Sequence, residues 1–217
     1  TGGLGDDSIE GRGGNDLIGE APIDDAAVLD WATATANGSF ALAGATETLN
    51  VTIATTTNAL SQTANAVSNG TPAADGLWVN GISEPITTTM TFDNPVENVT
   101  FEVYDIDASV GSWDDALTII ALDADGNQVN VNYTDLDGLH SVSSDTLNAD
   151  GSFSGGVETT GAEDSVTVTI PGPFVQLLFT FDNGESFASS GTFGIGNMSM
   201  DFTVDADGEP GDDTIDG

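Results

Sequence analysis

The balance of charge constrains this chain more than any other feature. Thirty-six aspartate and glutamate residues stand against one basic residue, Arg12, giving a net charge of −35 over 217 residues. Self-repulsion of that size works against any compact state. Two outcomes remain: disorder, or neutralisation by bound cations. Hydrophobic residues make up 38% of the chain and gather in alternating runs, a pattern that a disordered chain lacks. A folded protein that binds cations is therefore expected. The same charge excludes partners. One arginine cannot neutralise a row of phosphates, so nucleic acid is not a partner. Anionic membranes and acidic polysaccharides are disfavoured for the same reason, unless metal ions bridge the two surfaces. No apolar run approaches the roughly 20 residues that span a bilayer, and no direct membrane insertion is expected. Cysteine is absent, which removes disulfides and thiolate chemistry and suits a secreted protein stabilised by metal. No N-terminal signal peptide is legible, and a chain that opens within a repeat is expected to be a piece of a longer one.

That repeat appears at both ends. Gly2-Gly3-Leu4-Gly5-Asp6-Asp7-Ser8-Ile9-Glu10 is followed directly by Gly11-Arg12-Gly13-Gly14-Asn15-Asp16-Leu17-Ile18-Gly19. Gly208-Glu209-Pro210-Gly211-Asp212-Asp213-Thr214-Ile215-Asp216 closes the chain. All three fit the nonapeptide G-G-x-G-x-D-x-U-x, with U a large aliphatic residue. Arg12 and Glu209 depart from it at the second glycine. The glycines permit positive φ in a tight turn and let backbone carbonyls approach a cation. The carboxylates of Asp7, Asp16 and Asp213 supply hard anionic oxygens, which suit Ca²⁺. Gly3, Gly5, Asp7, Gly14, Asp16, Gly211 and Asp213 are thus the expected calcium ligands of the ends. Ile9, Ile18 and Ile215 fall on short strands that point into a narrow stacked core. Three stacked units are few, because each needs neighbours to bury its face. Either the roll continues beyond this stretch, or the two ends meet with the rest inserted between turns.

Residues 21–205 read as a different unit. Its first third is rich in Ala, Thr, Asn and Ser, and reads as short strands and long loops. Clearer strands follow. Thr87 to Phe92 precedes an expected turn at Asp93-Asn94-Pro95, after which Val99, Phe101 and Val103 alternate with polar residues. Leu117 to Leu122 runs into the turn Asp123-Ala124-Asp125-Gly126-Asn127 and on to Val129, Val131 and Tyr133. Val166 to Ile170, Val175 to Phe181 and Met198 to Val204 alternate in the same way. Period-two patterning with turn signals between runs predicts an all-β, antiparallel, jelly-roll-like β-sandwich. The expected organisation is repeats at 1–20, a sandwich at 21–205 and a repeat at 206–217, the repeats forming a parallel β-roll.

Within the middle unit the densest acidic constellation is Asp105-Ile106-Asp107 followed by Trp113-Asp114-Asp115. Side chains two apart on an extended segment share a face, so Asp105 and Asp107 are expected side by side, with Asp114 and Asp115 returning on the loop. Four acids without a basic neighbour repel one another unless a cation sits among them. A calcium site and a solvated acidic loop both remain open here. Asp123 to Asn127 resembles the start of a calcium loop but lacks a twelfth-position Glu, and reads better as a hairpin turn. Asp135-Leu136-Asp137-Gly138 and Asp205-Ala206-Asp207-Gly208 are weaker versions of the same pattern. Trp31 and Trp78 read as core residues. Trp113, between Ser112 and two aspartates, is a candidate glycan contact, as an apolar face beside polar groups suits a sugar ring. Catalysis finds little support. His140 is the sole histidine, reads as an exposed loop residue, and excludes a multi-histidine zinc site. Carboxylate-only glycoside hydrolysis is the remaining enzymatic route.

The nonapeptides resemble the repeats-in-toxin family of Gram-negative bacteria, over about thirty residues at the two ends. That resemblance implies a parallel β-roll with calcium between turns, type I secretion, and a chain that folds outside the calcium-poor cytosol. The family includes toxins, proteases, lipases, adhesins and surface-layer proteins, so it does not choose a function. The middle unit is similar in style to jelly-roll modules of bacterial surface proteins. A calcium-rigidified, non-catalytic surface or adhesin module that binds extracellular glycan or copies of itself is expected. The alternative is an accessory or catalytic domain of a secreted polysaccharide-degrading enzyme.

Overall fold

Alternation in the sequence becomes alternation in burial. In this computed structural model the described residues are 8–10, 23–56, 63–66, 76–81, 85–106, 108–109, 113–134, 136, 140–149, 165–183, 191–204 and 214–216. Among them every regular element is a β-strand. The chain begins with β1 (Ser8–Glu10), β2 (Ile23–Leu29), β3 (Gly38–Ala43), β4 (Thr48–Thr56), β5 (Thr63–Ala66) and β6 (Gly76–Gly81). It continues through β7 (Ile86–Tyr104), β8 (Ala108–Ser109), β9 (Trp113–Leu122), β10 (Gln128–Val129), β11 (Asn132–Thr134) and β12 (His140–Ser143). The last six are β13 (Thr146–Ala149), β14 (Ser165–Ile170), β15 (Phe174–Asn183), β16 (Gly191–Gly196), β17 (Met198–Val204) and β18 (Thr214–Asp216).

The 19 residues of β7 organise everything else. Its first half lies between β4 (Val51 opposite Phe92 through Thr56 opposite Thr87) and β15 (Gln176 opposite Thr91 through Phe181 opposite Ile86). β3 extends this sheet beyond β4, while β9, β13 and β12 extend it beyond β15. The second half of β7 lies between β14 (Ser165 opposite Tyr104 through Ile170 opposite Val99) and the pair β17 and β16. β11, β2 and β6 complete this second layer, with β5 outside β6. One strand thus serves two antiparallel layers, as strands do at the corner of a sandwich. All of these pairings are antiparallel, and the fold is all-β and sandwich-like.

The transfer between layers corrects one expectation. Asp93-Asn94-Pro95 is not a turn between two strands, because β7 runs straight through it. The reason lies in the ladder. The register of β15 shifts between Phe174, opposite Val96, and Gln176, opposite Thr91. The ladder therefore steps over residues 93–95, and proline's missing N–H costs nothing there. Asp93 instead accepts bonds from Asn50, 2.8 Å from the backbone N and 2.6 Å from Nδ2. The inward positions are Ile86, Thr88, Met90, Phe92 and Val96 before the crossing, and Val99, Phe101 and Val103 after it. An extra residue is needed to change phase, and Asn98, at φ 50°, supplies the bulge.

The core sits between the layers. Phe101 of β7 meets Phe179 of β15 edge-on at 5.6 Å, and Phe181 of β15 stacks on Phe193 of β16 at 4.9 Å. Phe92 and Phe174 make a third contact, at 5.9 Å. Trp31 is 1% exposed, and its indole N–H donates to Gly196 O at 2.9 Å, so its place is in the core. The shift of register on β15 also turns Phe174 inward and leaves Val175 half-buried. Apart from this sandwich, β1 pairs with β18 in a two-stranded parallel sheet.

Candidate calcium-binding sites

At the ends, the expected ligands Gly3, Gly5, Asp7, Gly14, Asp16, Gly211 and Asp213 lie outside the described residues. The strands that follow two of those turns are described. Ser8 pairs with Thr214, Ile9 with Ile215 and Glu10 with Asp216, all in parallel. These are the seventh, eighth and ninth positions of the first nonapeptide opposite the same positions of the last.

In the middle unit the acidic loop leaves β7 at Asp105, which is half-buried and has φ 62°. The backbone is therefore not extended there, and the shared-face argument for Asp105 and Asp107 does not hold at its first residue. Asp107 itself lies outside the described residues. The loop closes as a short hairpin, with Ala108 opposite Asp114 and Ser109 opposite Trp113. Because β9 alternates, it sends its two acids apart: Asp114 is exposed, whereas Asp115 is 1% exposed, in phase with Leu117 and Ile119. Of Trp113 only the backbone is described, and its role as a glycan contact falls outside the described residues. The same holds for the Trp78 side chain. Among the described residues no three Asp, Glu or His side chains converge closely enough to hold a metal ion.

His140 departs from expectation. It is 6% exposed, and its Nε2 lies 2.9 Å from Ile106 O. A carbonyl oxygen only accepts, so Nε2 carries the proton. The bond ties the head of β12 to the residue between Asp105 and Asp107. A histidine flanked by Leu139 and Ser141 gives no local sign of such burial, because the partner is 34 residues away.

Two other carboxylates are occupied by the backbone. Asp123 Oδ1 accepts from the N–H groups of Asp125 (2.9 Å) and Asn127 (2.7 Å), while Oδ2 takes Asn127 Nδ2 at 3.0 Å. The Asn127 bonds hold its carboxyl below the usual range. This is the hairpin turn expected between β9 and β10. Asp25 has no signature in the sequence. It is 9% exposed on β2 and accepts from the backbone N–H groups of Ala45 (2.8 Å), Thr46 (2.7 Å) and Glu47 (2.9 Å). Those bonds, that of Thr46 first, hold its carboxyl far below the usual range, and they tie the β3–β4 loop to β2. Beside it an open cleft of about 420 Å³ is lined by Asp24, Asp25, Ala26, Glu97, Asp201 and Phe202. Thr203 Oγ1 donates to Asp24, and Asn98 Nδ2 to Asp201, each at 3.0 Å.

Both tyrosine hydroxyls are engaged within the fold. Burial, then the neighbouring Glu102, raises the Tyr104 phenol well above its usual range, and its hydroxyl donates to Glu102 Oε2 at 2.5 Å. Burial, then Asp145, does the same to Tyr133, whose hydroxyl donates to Asp145 O at 3.2 Å.

No protein-family model and no curated protein matches the chain. One solved structure that it resembles is the enzymatically active domain of tailspike protein 4 of bacteriophage CBA120, at 15% identity and a TM-score of 0.32. The match covers 71% of this chain and 19% of that one. A likeness that loose carries no argument about fold or function.

Proposed function

We propose that this chain is a calcium-binding, non-catalytic module of a secreted or cell-surface protein, in which calcium between Gly-Asp turns rigidifies the ends around an inserted jelly-roll-like sandwich. The observation that carries the reading is the register of β1 on β18. A strand followed by a tight turn reverses the chain, so parallel neighbours in a roll are two such units apart. Counting repeats alone, the last nonapeptide is two units after the first, with residues 11–19 between them. The position-for-position parallel register supports a small β-roll that residues 21–205 interrupt between its second and third units. Asp7, Asp16 and Asp213, with carbonyls around Gly3, Gly5, Gly14 and Gly211, would supply the oxygen ligands. Calcium also answers the charge problem, since bound cations offset part of a net charge of −35.

Calcium titration tests this directly. Extracellular calcium modules bind in the range of roughly 10⁻⁴ to 10⁻³ M, so circular dichroism and melting temperature should saturate at millimolar calcium. Binding to the folded form alone adds linked stability. Melting curves unchanged by excess EGTA would sink the proposal.

The second reading, a polysaccharide-degrading domain, draws on the acidic cleft with Asp24, Glu97 and Asp201, as glycoside hydrolysis needs only two well-placed acids. Against it stands the absence of lysine and of any arginine but Arg12 from the chain, which leaves few groups to stabilise developing charge. Incubation with neutral polysaccharides and reducing-end detection should give no release. Release that Glu97→Gln or Asp201→Asn abolishes would establish the enzyme instead.

A further inference from the structure

We propose that the sandwich is a clamp for the roll: by holding Ile23 beside Val204, it couples its own folding to the pairing of β1 with β18. This coupling rests on the calcium reading and adds a regulation to it. β2 and β17 pair from Leu29 opposite Met198 to Ile23 opposite Val204. That pairing belongs to the sandwich itself. Ala27, Leu29, Met198, Met200 and Phe202 are core residues, and Thr203 Oγ1 reaches across to Asp24 at 3.0 Å. The neighbouring Asp25 is held by the N–H groups of the β3–β4 loop. The chain therefore enters and leaves the sandwich at facing positions, roughly 4.5–5.5 Å apart. The second nonapeptide ends at Gly19 and the third begins at Gly208. Residues 20–22 on one side and 205–207 on the other join them to the Ile23–Val204 rung, three residues each.

The contact at the ends needs that help. β1 and β18 share three parallel rungs, and an isolated pair of strands is marginal in water even when longer. The last rung sets Glu10 opposite Asp216, and like charges at facing positions oppose pairing. Joining these strands through an unfolded middle would close a loop from residue 11 to residue 213, roughly 200 residues. With the Ile23–Val204 rung in place, the loop shrinks to residues 11–22 and 205–213 plus that rung, roughly 23 residues. The entropy of loop closure grows as three halves of the logarithm of length, so the folded sandwich favours the β1–β18 pairing roughly 25-fold. Among the described residues no ladder joins β1 or β18 to the sandwich, which leaves the short tether to carry the effect. Coupling of this kind is reciprocal. Calcium bound between the paired ends stabilises the sandwich, and unfolding of the sandwich weakens the hold of the ends on calcium.

Flexible Gly-Ser inserts between Asp205 and Ala206 of the full chain test the coupling, since they lengthen the tether without changing any described strand. At one fixed millimolar calcium concentration, hydrogen-exchange protection of the β1 and β18 amides should fall roughly threefold with ~25 inserted residues and roughly ninefold with ~75. Calcium should raise the melting temperature of the sandwich less as the insert grows, while in EGTA both variants melt with wild type. An equal loss of protection at both lengths would mark local damage at the insertion point and overturn the proposal. Undiminished protection in both variants, with calorimetry still showing calcium bound, would also overturn it and leave the calcium reading standing. Calorimetry showing no calcium binding to the wild-type chain would instead sink that reading, and the coupling with it.

Discussion

Gly172 and Gly126 offer a matched pair that isolates how the two layers are joined. Both have positive φ, 76° and 81°, so alanine at either incurs the left-handed strain of roughly 1–2 kcal/mol. Their surroundings differ. A Cβ at Gly126 meets nothing within 4 Å, whereas one at Gly172 falls 2.6 Å from both Val96 O and Glu97 Cα. Those are backbone atoms beside the bulge where β7 changes layer, and Pro171 O accepts the Asn98 N–H there at 3.2 Å. Backbone cannot swing aside as a long side chain does, so Gly172→Ala adds an overpacking cost of about 1–3 kcal/mol. The expected totals are about 1–2 kcal/mol for Gly126→Ala and about 2–5 kcal/mol for Gly172→Ala. At roughly 2–4 °C per kcal/mol for a chain of this size, the second should melt well below the first. Calcium-saturated thermal melts of the two variants beside wild type are sufficient. If the two alanine variants melt together, the β14–β15 connection does not press on the β7 bulge, and the account of the crossing is wrong.

Asp25 predicts a pH dependence. Its folded carboxyl titrates below its unfolded value of about 3.9, so its contribution is fully present above that pH and is lost as pH falls toward the folded value. The stability gap between wild type and Asp25→Asn, measured by urea unfolding, should be constant near neutrality and shrink below about pH 4; a gap undiminished in strong acid would refute the assignment. Asp107→Ala should reduce the calcium-dependent part of the melting temperature if Asp107 completes a site with Asp105 and Asp114. An unchanged calcium dependence would mean that Asp105, Asp107 and Asp114 hold no ion.

Strands whose alternation is local are legible in the sequence itself. Val166, Val168 and Ile170 face inward on β14, as do Met198, Met200 and Phe202 on β17. β7 is legible only as two pieces, because Asp93-Asn94-Pro95 carries turn chemistry that here serves a crossing between layers. β2 is not legible, since Asp24-Asp25 breaks its apolar run, and the inward Asp25 is matched by N–H groups some twenty residues away. Thr56, Thr87, Thr180, Thr118 and Thr146 are cross-strand partners for a related reason: they become neighbours only through register, which no local pattern encodes. His140 follows the same logic, its burial depending on the distant Ile106 carbonyl. The nonapeptides are the opposite case. Their spacing alone raises the alternative in which the ends meet, and the Ile9–Ile215 pairing is in the register that this alternative requires.

The central claim is that the terminal repeats stack on each other and that calcium holds them there. Ser8 and Thr214 are parallel partners on β1 and β18, and the chain has no cysteine of its own, so a Ser8→Cys, Thr214→Cys double variant reports on that contact alone. Adjacent strands lie ~4.8 Å apart, within the Cα separation of roughly 4.4–6.8 Å that a disulfide spans. Under mild oxidation, the fraction of intramolecular cross-linked chain should be high in millimolar calcium and fall sharply in EGTA, with a Ser8→Cys, Ser199→Cys pair unlinked in both. Cross-linking that is equally efficient without calcium, or absent with it, would contradict the account.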